Sequence, residues 1–379
     1  MIAFLINDLD IRGGTHKQFL KMLDYMSSTE IDFIVITRVL DFDKTFPGFK
    51  KYVHKINVID VKYSNNNFVK IFNYIKTLFL LRKVLKSIDV VNIHDGGYEI
   101  LLPALIGKKV FWQINDLHYC FKVGVGKGKS SFADICRRNL IKLFSPVVNE
   151  FSVNVTKNKL RIKEVFNRDA HVFYCGIEKL AINRNQQLTL DRFKHKKINI
   201  LSSGVFMPYR NYETQIQIVK DLVDKGIDAH LNIIGSTALD KTYSTKIIDL
   251  IKDVDLEKNI TVCGLVDEEE FEELHKNADI FIFINVDQSW GLAVFEAMSC
   301  GLPVFVSNSV GATEILTDNE NAVFVDPFNV ESISNNILDL MSDPQNYCYL
   351  AKNSVDFCDS FSWENAYCSK MLALMSTEL

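Results

Sequence analysis

Short apolar runs alternate with amphipathic stretches along this chain, and the alternation happens twice. MIAFLIN reads as a strand, and the Gly-rich turn of GGTHKQFLKMLDYM opens a helix after it. IDFIVIT, the helical stretch FVKIFNYIKTLFLLRKVLKSI, the short strand DVVNIH and the strand KKVFWQIND follow. The rhythm restarts at INILSSG, with a helix over 213–224, then AHLNIIG, a helix near 244–252, ITVCG and ADIFIFIN. A β-α-β-α rhythm of apolar strands forces a mostly parallel sheet with helices on both faces, an α/β doubly wound architecture. A chain of 379 residues is long for one core, so two such domains are expected. The polar stretch INRNQQLTLDRFKHKK lacks apolar periodicity and places the boundary near 182–197. The domains are therefore expected at 1–185 and 186–360, with residues 361–379 as a helix that returns to the first.

Composition narrows the class. With 47% hydrophobic and 24% charged residues, the chain reads as soluble and globular. No apolar run approaches the roughly 20 residues that span a membrane. Met1 begins a strand without a basic leader or a small-residue cleavage site, so no signal peptide is expected. The eight cysteines form no C-x-x-C pair and no cluster with histidine. Reduced cytoplasmic thiols and no metal are the expectation. Three D-x-D strings occur, at Asp8–Asp10, Asp41–Asp43 and Asp253–Asp255, but that pattern is weak in an acid-rich chain.

Net charge is only −4, yet its distribution is lopsided. Residues 1–190 hold 29 Lys and Arg against 17 Asp and Glu, a net +12. Residues 191–379 hold 14 against 30, a net −16. A basic half suits an anionic surface, such as phospholipid headgroups or a phosphorylated acceptor, and scattered solvated lysines compete with that reading. No basic-aromatic motif of a nucleic-acid-binding module is present, so nucleic acid is not an expected partner. Lys70, Lys76, Lys83, Lys86, Lys127, Lys129, Arg137 and Arg138 are the candidate membrane contacts. The helical stretch 68–88 mixes bases with large apolar residues, as both membrane-surface helices and core-facing helices do. Its place ahead of a strand in a doubly wound sheet favours the core.

The segment DQSWGLAVFEAMSCGLPVFVSNSVGATEIL, residues 287–316, carries the densest chemistry. It follows the strand ADIFIFIN, whose carboxyl end faces the crevice where open α/β sheets bind ligands. Ser289, Trp290, Gly291 and Leu292 start a helix, and the unpaired amides of its first turn suit a phosphate. Gly291 lets the backbone approach a ligand closely. Glu296, about one turn in, is placed to accept hydrogen bonds from a ribose diol.

Residues 198–368 resemble the donor-binding domain of glycosyltransferase family 4, the retaining GT-B glycosyltransferases also described as glycosyl transferases group 1. The family phrase E-G-F-G-L-x-x-x-E-A-M-A-C-G-x-P-V-V stands here as Gln288–Leu292, then Glu296–Gly301, then Pro303–Val304, and continues through Gly311–Glu314 and Asn319–Asn321. The resemblance implies a UDP- or GDP-sugar donor and no other cofactor. It puts Glu296 on the ribose and the amides near Gly291 and Leu292 on the phosphate and sugar. Gln288 stands where the family has an acid that contacts the donor sugar; Gln keeps an acceptor oxygen but not the charge. INILSSGVFMPYRNYETQI is similar to the family's strand-Gly-Arg-Lys phrase: Gly204 matches, Val205 replaces the Arg, and Arg210 falls where the Lys grips the diphosphate. ITVCGLV resembles the segment that packs the base, near Val262, Gly264 and Leu265.

The first half resembles the family's acceptor domain more loosely. Gly13 and Gly14 match a glycine pair that lies against the donor. FWQINDLHYC is similar to a strand ending in His-Asp, whose His lies against the donor sugar; Asn115 takes the His position, Asp116 the Asp, and His118 follows, and the resemblance makes these three, with Arg210, the candidate catalytic residues. VFYCGIEKL and FSWENAY resemble the passages into the second domain and back. The resemblance thus implies two Rossmann-like domains facing a cleft, and a metal-independent retaining transfer to a glycan or lipid-linked glycan in bacterial surface polysaccharide synthesis. It implies a cytoplasmic protein, with the inner face of the cytoplasmic membrane as a candidate surface. Asn115, Gln288 and Val205 each remove a charged or titratable group, which keeps an inactive binding protein open as an alternative, with a nucleotide-sugar epimerase as a third.

Overall fold

The computed structural model describes residues 1–59, 67–115, 118, 120–121, 132–287 and 290–376. It divides the chain into two compact units, Met1–Gly176 with Trp363–Leu379, and Ile177–Ser362. Asp116, Lys127, Lys129 and Gln288 lie outside the described residues.

In the first unit the chain runs β1 (Ile2–Ile6), β2 (Asp8–Leu9), α1 (Gly14–Ser28), β3 (Phe33–Thr37), β4 (Val39–Leu40), β5 (Ile56–Val58), α2 (Asn67–Val84), β6 (Val90–His94), β7 (Lys109–Ile114), α3 (Phe132–Phe144), β8 (Val148–Val153), α4 (Thr156–Phe166) and β9 (His171–Val172). Seven strands form a parallel sheet in the order β5-β3-β1-β6-β7-β8-β9, and β2 pairs with β4 beside it. Every residue of β1 and β6 is buried, as a central strand covered on both faces must be. The strand order reverses between β1 and β6, so their carboxyl ends open a crevice there.

Helix α2 departs from the expectation of a core-facing helix with a merely basic outer face. Thr77, Leu81 and Leu85 are buried, but Ile71, Phe72, Ile75 and Phe79 point outward among the basic residues. Among the described residues, no helix is long and apolar enough to cross a membrane.

The second unit runs α5 (Gln186–Lys194), β10 (Lys197–Ser203), α6 (Tyr212–Asp224), β11 (Asp228–Ile234), α7 (Lys241–Asp253), β12 (Ile260–Gly264), α8 (Glu268–Asn277), β13 (Ile280–Phe283), α9 (Leu292–Ser299), β14 (Val304–Ser307), β15 (Val323–Val325), α10 (Val330–Ser342) and α11 (Pro344–Ser360). Its parallel sheet has the order β12-β11-β10-β13-β14-β15, and the reversal falls between β10 and β13. The chain returns to the first unit through a π-helical turn over Glu364–Cys368 and α12 (Ser369–Ser376).

The division falls at 176–177 and 362–363, compared with the expected 185–186 and 360–361. Residues 177–185 are tied to the second unit. The amide of Leu180 donates to Ser299 Oγ (3.1 Å), and Arg184 donates to the carbonyl of Gly301 (2.7 Å) and to Ala278 O. The stretch read as a linker contains α5, capped by Asn185 and anchored by Phe193. Arg192 Nε donates to both carboxylate oxygens of the buried Asp279 (3.1 and 3.0 Å), which also accepts from the amide of Asn199 (2.8 Å). Removing Arg192 would strand that carboxylate, at a cost of about 3–5 kcal/mol. These polar anchors leave no trace in apolar periodicity.

Candidate functional site

The reversal point of the second unit brings Gly204, Arg210 and Gly291 together, while Val262 and Gly264 lie on β12 at the edge of the sheet. Three glycines close β10, β11 and β12: Gly204, Gly235 and Gly264. The amide of Gly204 donates to Ile234 O (2.8 Å), and that of Gly235 to Gly264 O (2.8 Å). A register shift between Ile233 and Ile234 brings the last pair into line. Gly235 sits at φ 149°, and a Cβ there would strike the carbonyl of Gly204. Gly235 was not among the expected site residues; its sign in the sequence was only its place at the end of AHLNIIG.

After Gly204 the chain makes a short 3-10 turn, Pro208–Arg210, which aims Arg210 back at the strand ends. Its guanidinium lies 5.3 Å from the ring centre of Tyr209 and 5.4 Å from that of Phe283. Among the described residues no carboxylate pairs with it, and its buried Nε has no hydrogen-bond partner. The turn is fixed to the neighbouring loop, since the amide of Val286 donates to Tyr209 O (2.7 Å).

Phe283 ends β13 and touches both sides of the site. A Cβ on Gly291 would stand 2.8 Å from its Cε1. Gly291, at φ 104°, caps α9 in the left-handed region that side chains rarely adopt, and no side chain caps the helix. The first amides of α9 therefore emerge near the ring over which Arg210 lies. A partial positive helix end and a guanidinium beside one apolar ring are the chemistry that suits an anion. Trp290 is 3% exposed and stacks on Phe295 at 5.1 Å, and its carbonyl accepts from the amide of Ala312 (3.1 Å). Its indole thus serves packing. Glu296, half-buried, lies about one helical turn past Leu292. Val262 and Gly264 line a cavity of about 410 Å³, with Thr237, Ile248, Ile251 and Lys252. Leu265 is 81% exposed.

In the first unit, Gly13 caps α1 in an extended conformation, and Gly14 begins it. Neither has a positive φ, so what they supply is a bare surface rather than a special backbone angle. His16 Nε2 lies 3.1 Å from Asp8 Oδ1, whose carboxyl is held below its usual range chiefly by that hydrogen bond. Arg38 donates to Gly97 O (2.8 Å) and lies 5.2 Å from the ring centre of Tyr98. Asp8, His16 and Arg38 were not expected at a site; the fold brings them to the ends of β1 and β3.

Asn115 directly follows β7 and is buried. It accepts from Gln113 Nε2 (2.8 Å), its backbone amide donates to Asp95 Oδ1 (3.2 Å), and its Nδ2 is unpartnered among the described residues. His118 is 6% exposed, 3.5 Å from Glu99 Oε1 and edge-on to Trp112. Burial opposes a charge on His118, but a hydrogen bond to Cys120 and the Glu99 carboxylate outweigh it and raise its pKa to about 9. His94, missed by the sequence reading, is fully buried with Nε2 3.3 Å from Thr15 O; burial pushes its pKa down to about 3.

Comparison with known proteins bears on the second unit first. Residues 185–356 match the model of the family described as "Glycosyl transferases group 1". The match takes in most of the second unit and 45% of the chain. Among curated relatives, mannosylfructose-phosphate synthase of Agrobacterium fabrum is 23% identical over 195 residues, 50% of this chain and 43% of the relative. Amylovoran biosynthesis glycosyltransferase AmsK of Erwinia amylovora is 26% identical over 275 residues, 63% and 66% respectively. The matched part is thus less than two thirds of either relative. Among solved structures, Anabaena Alr3699/HepE in complex with UDP is 13% identical, with a TM-score of 0.76 and 99% of each chain covered. The same protein has been solved with UDP-glucose. That likeness shows the fold: the chain is a GT-B protein, with two parallel-sheet α/β domains.

Proposed function

We propose that the protein is a retaining glycosyltransferase that moves a sugar from a UDP- or GDP-sugar to a glycan or lipid-linked glycan in surface polysaccharide synthesis. One observation carries the reading: Arg210 and the uncapped start of α9 meet around Phe283 at the strand-order reversal of a group 1 domain. The solved complexes of the fold neighbour with UDP and UDP-glucose, and a relative named for amylovoran biosynthesis, favour the same substrate class.

In this reading the diphosphate lies against Arg210 and the amides of Gly291 and Leu292. Glu296 accepts from the ribose hydroxyls. The base rests beside Val262 and Gly264. Gln288 meets the donor sugar. The glycosidic C1–O bond to phosphate breaks, and the acceptor oxygen bonds to C1 on the same face. Its proton passes to the leaving phosphate oxygen. Arg210 and the amide dipoles stabilise the departing charge, the kind of preorganised electrostatics that supplies most of such catalysis. No divalent metal is needed in this scheme. Asn115, Asp116 and His118 are the catalytic candidates of the first unit, where Asn115 offers a sugar hydroxyl a hydrogen bond rather than a proton.

A thermal-shift panel of UDP-, GDP- and ADP-sugars tests the donor, because a ligand that binds only the folded state raises its stability. Incubation with a lipid-linked glycan extract and radiolabelled donor then tests transfer. A donor that binds without transfer, hydrolysis or epimerisation would make this an inactive binding protein, the reading favoured by Asn115, Gln288 and Val205.

A further inference from the structure

Helix α2 has an outer face that the folded core does not use. Ile71, Phe72, Ile75 and Phe79 are 59, 67, 45 and 72% exposed. Their spacing of three and four residues puts them on one stripe, opposite the buried Thr77, Leu81 and Leu85. The exposed bases Lys76 and Arg82 lie within the same stripe, and Lys83 with Lys86 prolongs it past the last turn. The helix contains no Asp or Glu, and among the described residues no carboxylate pairs with these four bases. Helix α3, which packs on the same 3-10 segment Glu99–Leu105 as α2, adds Leu143, 71% exposed, and the exposed Lys142.

An isolated exposed Leu needs no explanation, but a contiguous apolar stripe does. The occupant must accept both phenyl rings and cations. A second copy meeting this stripe across a twofold axis would set like charges against each other. A lipid surface with anionic headgroups satisfies both demands: acyl chains take the rings, and headgroup phosphates take the bases, whose aliphatic stems reach outward.

We propose that the outer face of α2 lies in the headgroup–acyl boundary of an anionic membrane, with Ile71, Phe72, Ile75 and Phe79 inserted. This deepens the proposed function, on which it rests for a membrane-borne acceptor. It adds an apolar contribution, so attachment is weakened by salt but not abolished by it.

The experiment uses the full chain with vesicles of phosphatidylglycerol in phosphatidylcholine, and vesicles of phosphatidylcholine alone. Native Trp112, Trp290 and Trp363 are buried, so a Phe79→Trp variant reports on its own ring. Its emission should shift to the blue and be quenched by brominated acyl chains, with anionic vesicles only. Phe72→Ser/Phe79→Ser should lower vesicle partitioning at least tenfold, with an unchanged melting temperature and unchanged UDP and GDP affinity. Wild-type partitioning by the serine variant overturns the inference. So does a bound Phe79→Trp chain that is not quenched, absence of binding to anionic vesicles, or a self-association that the serine substitutions abolish. Nucleotide titration without vesicles fails separately: a chain that binds vesicles but neither nucleotide loses the proposed function and keeps this inference.

Discussion

The guanidinium of Arg210 packs on the bare α-carbon of Gly204; a Cβ there would stand 2.6 Å from its Nε and Nη1. A side chain on Gly204 must therefore push Arg210 away from the strand ends. Gly204→Ala should weaken nucleoside diphosphate binding about as much as Arg210→Ala does, roughly tenfold or about 1.4 kcal/mol. The double variant should be no worse than either single one, because both act through one group. Additive losses by calorimetry would separate the two residues.

Gly235 is held by the backbone rather than by function. Gly235→Ala places a Cβ against the Gly204 carbonyl at a φ of 149°. Overpacking against backbone in that region should cost about 3 kcal/mol or more. Urea unfolding checks this, and a variant within about 0.5 kcal/mol of wild type would show that the strand ends can part.

His94 should make the fold sensitive to acid. Its folded pKa is lowered to about 3, against roughly 6.5 in an unfolded chain. Below pH 6.5 the unfolded chain takes up a proton that the folded one refuses. Stability is therefore intact above pH 6.5 and falls toward pH 3, by about 1.4 kcal/mol per unit. His94→Gln should flatten that part of the profile between pH 6.5 and 4.5. Equal slopes for the two proteins would mean that His94 charges in place.

Gln288 keeps an acceptor oxygen at the family's acid position. Gln288→Glu is expected to shift donor preference while some turnover remains. Activity that appears only in the Glu variant would favour an inactive wild type.

The two parallel sheets were legible because strand buried on both faces is written as an uninterrupted apolar run, as in IAFLI and IFIF. The group 1 phrase made Gly291 and Glu296 legible, and the structure adds why Gly291 must be glycine: its left-handed φ and the ring of Phe283 beneath it. Phe283 itself was invisible, since an apolar residue in a strand carries no mark of what lies over its end. Asp8, His16 and Arg38 are scattered over 30 residues and meet only through sheet topology. Helix α5 was hidden because two arginines and a cap hold it rather than an apolar stripe. The outer face of α2 was masked by its own composition, since a sequence cannot say which of its two apolar faces meets the core.

Calorimetric titration of UDP and GDP into the wild-type, Arg210→Ala and Glu296→Ala proteins tests the central claim most directly. One nucleotide should bind the wild type at a single site. Each variant should bind it at least tenfold more weakly, since a lost charge-assisted hydrogen bond costs about 1.5–3 kcal/mol. Neither variant should lose stability. No binding to the wild type, or wild-type affinity in both variants, would contradict the claim that these strand ends hold a nucleotide-sugar donor.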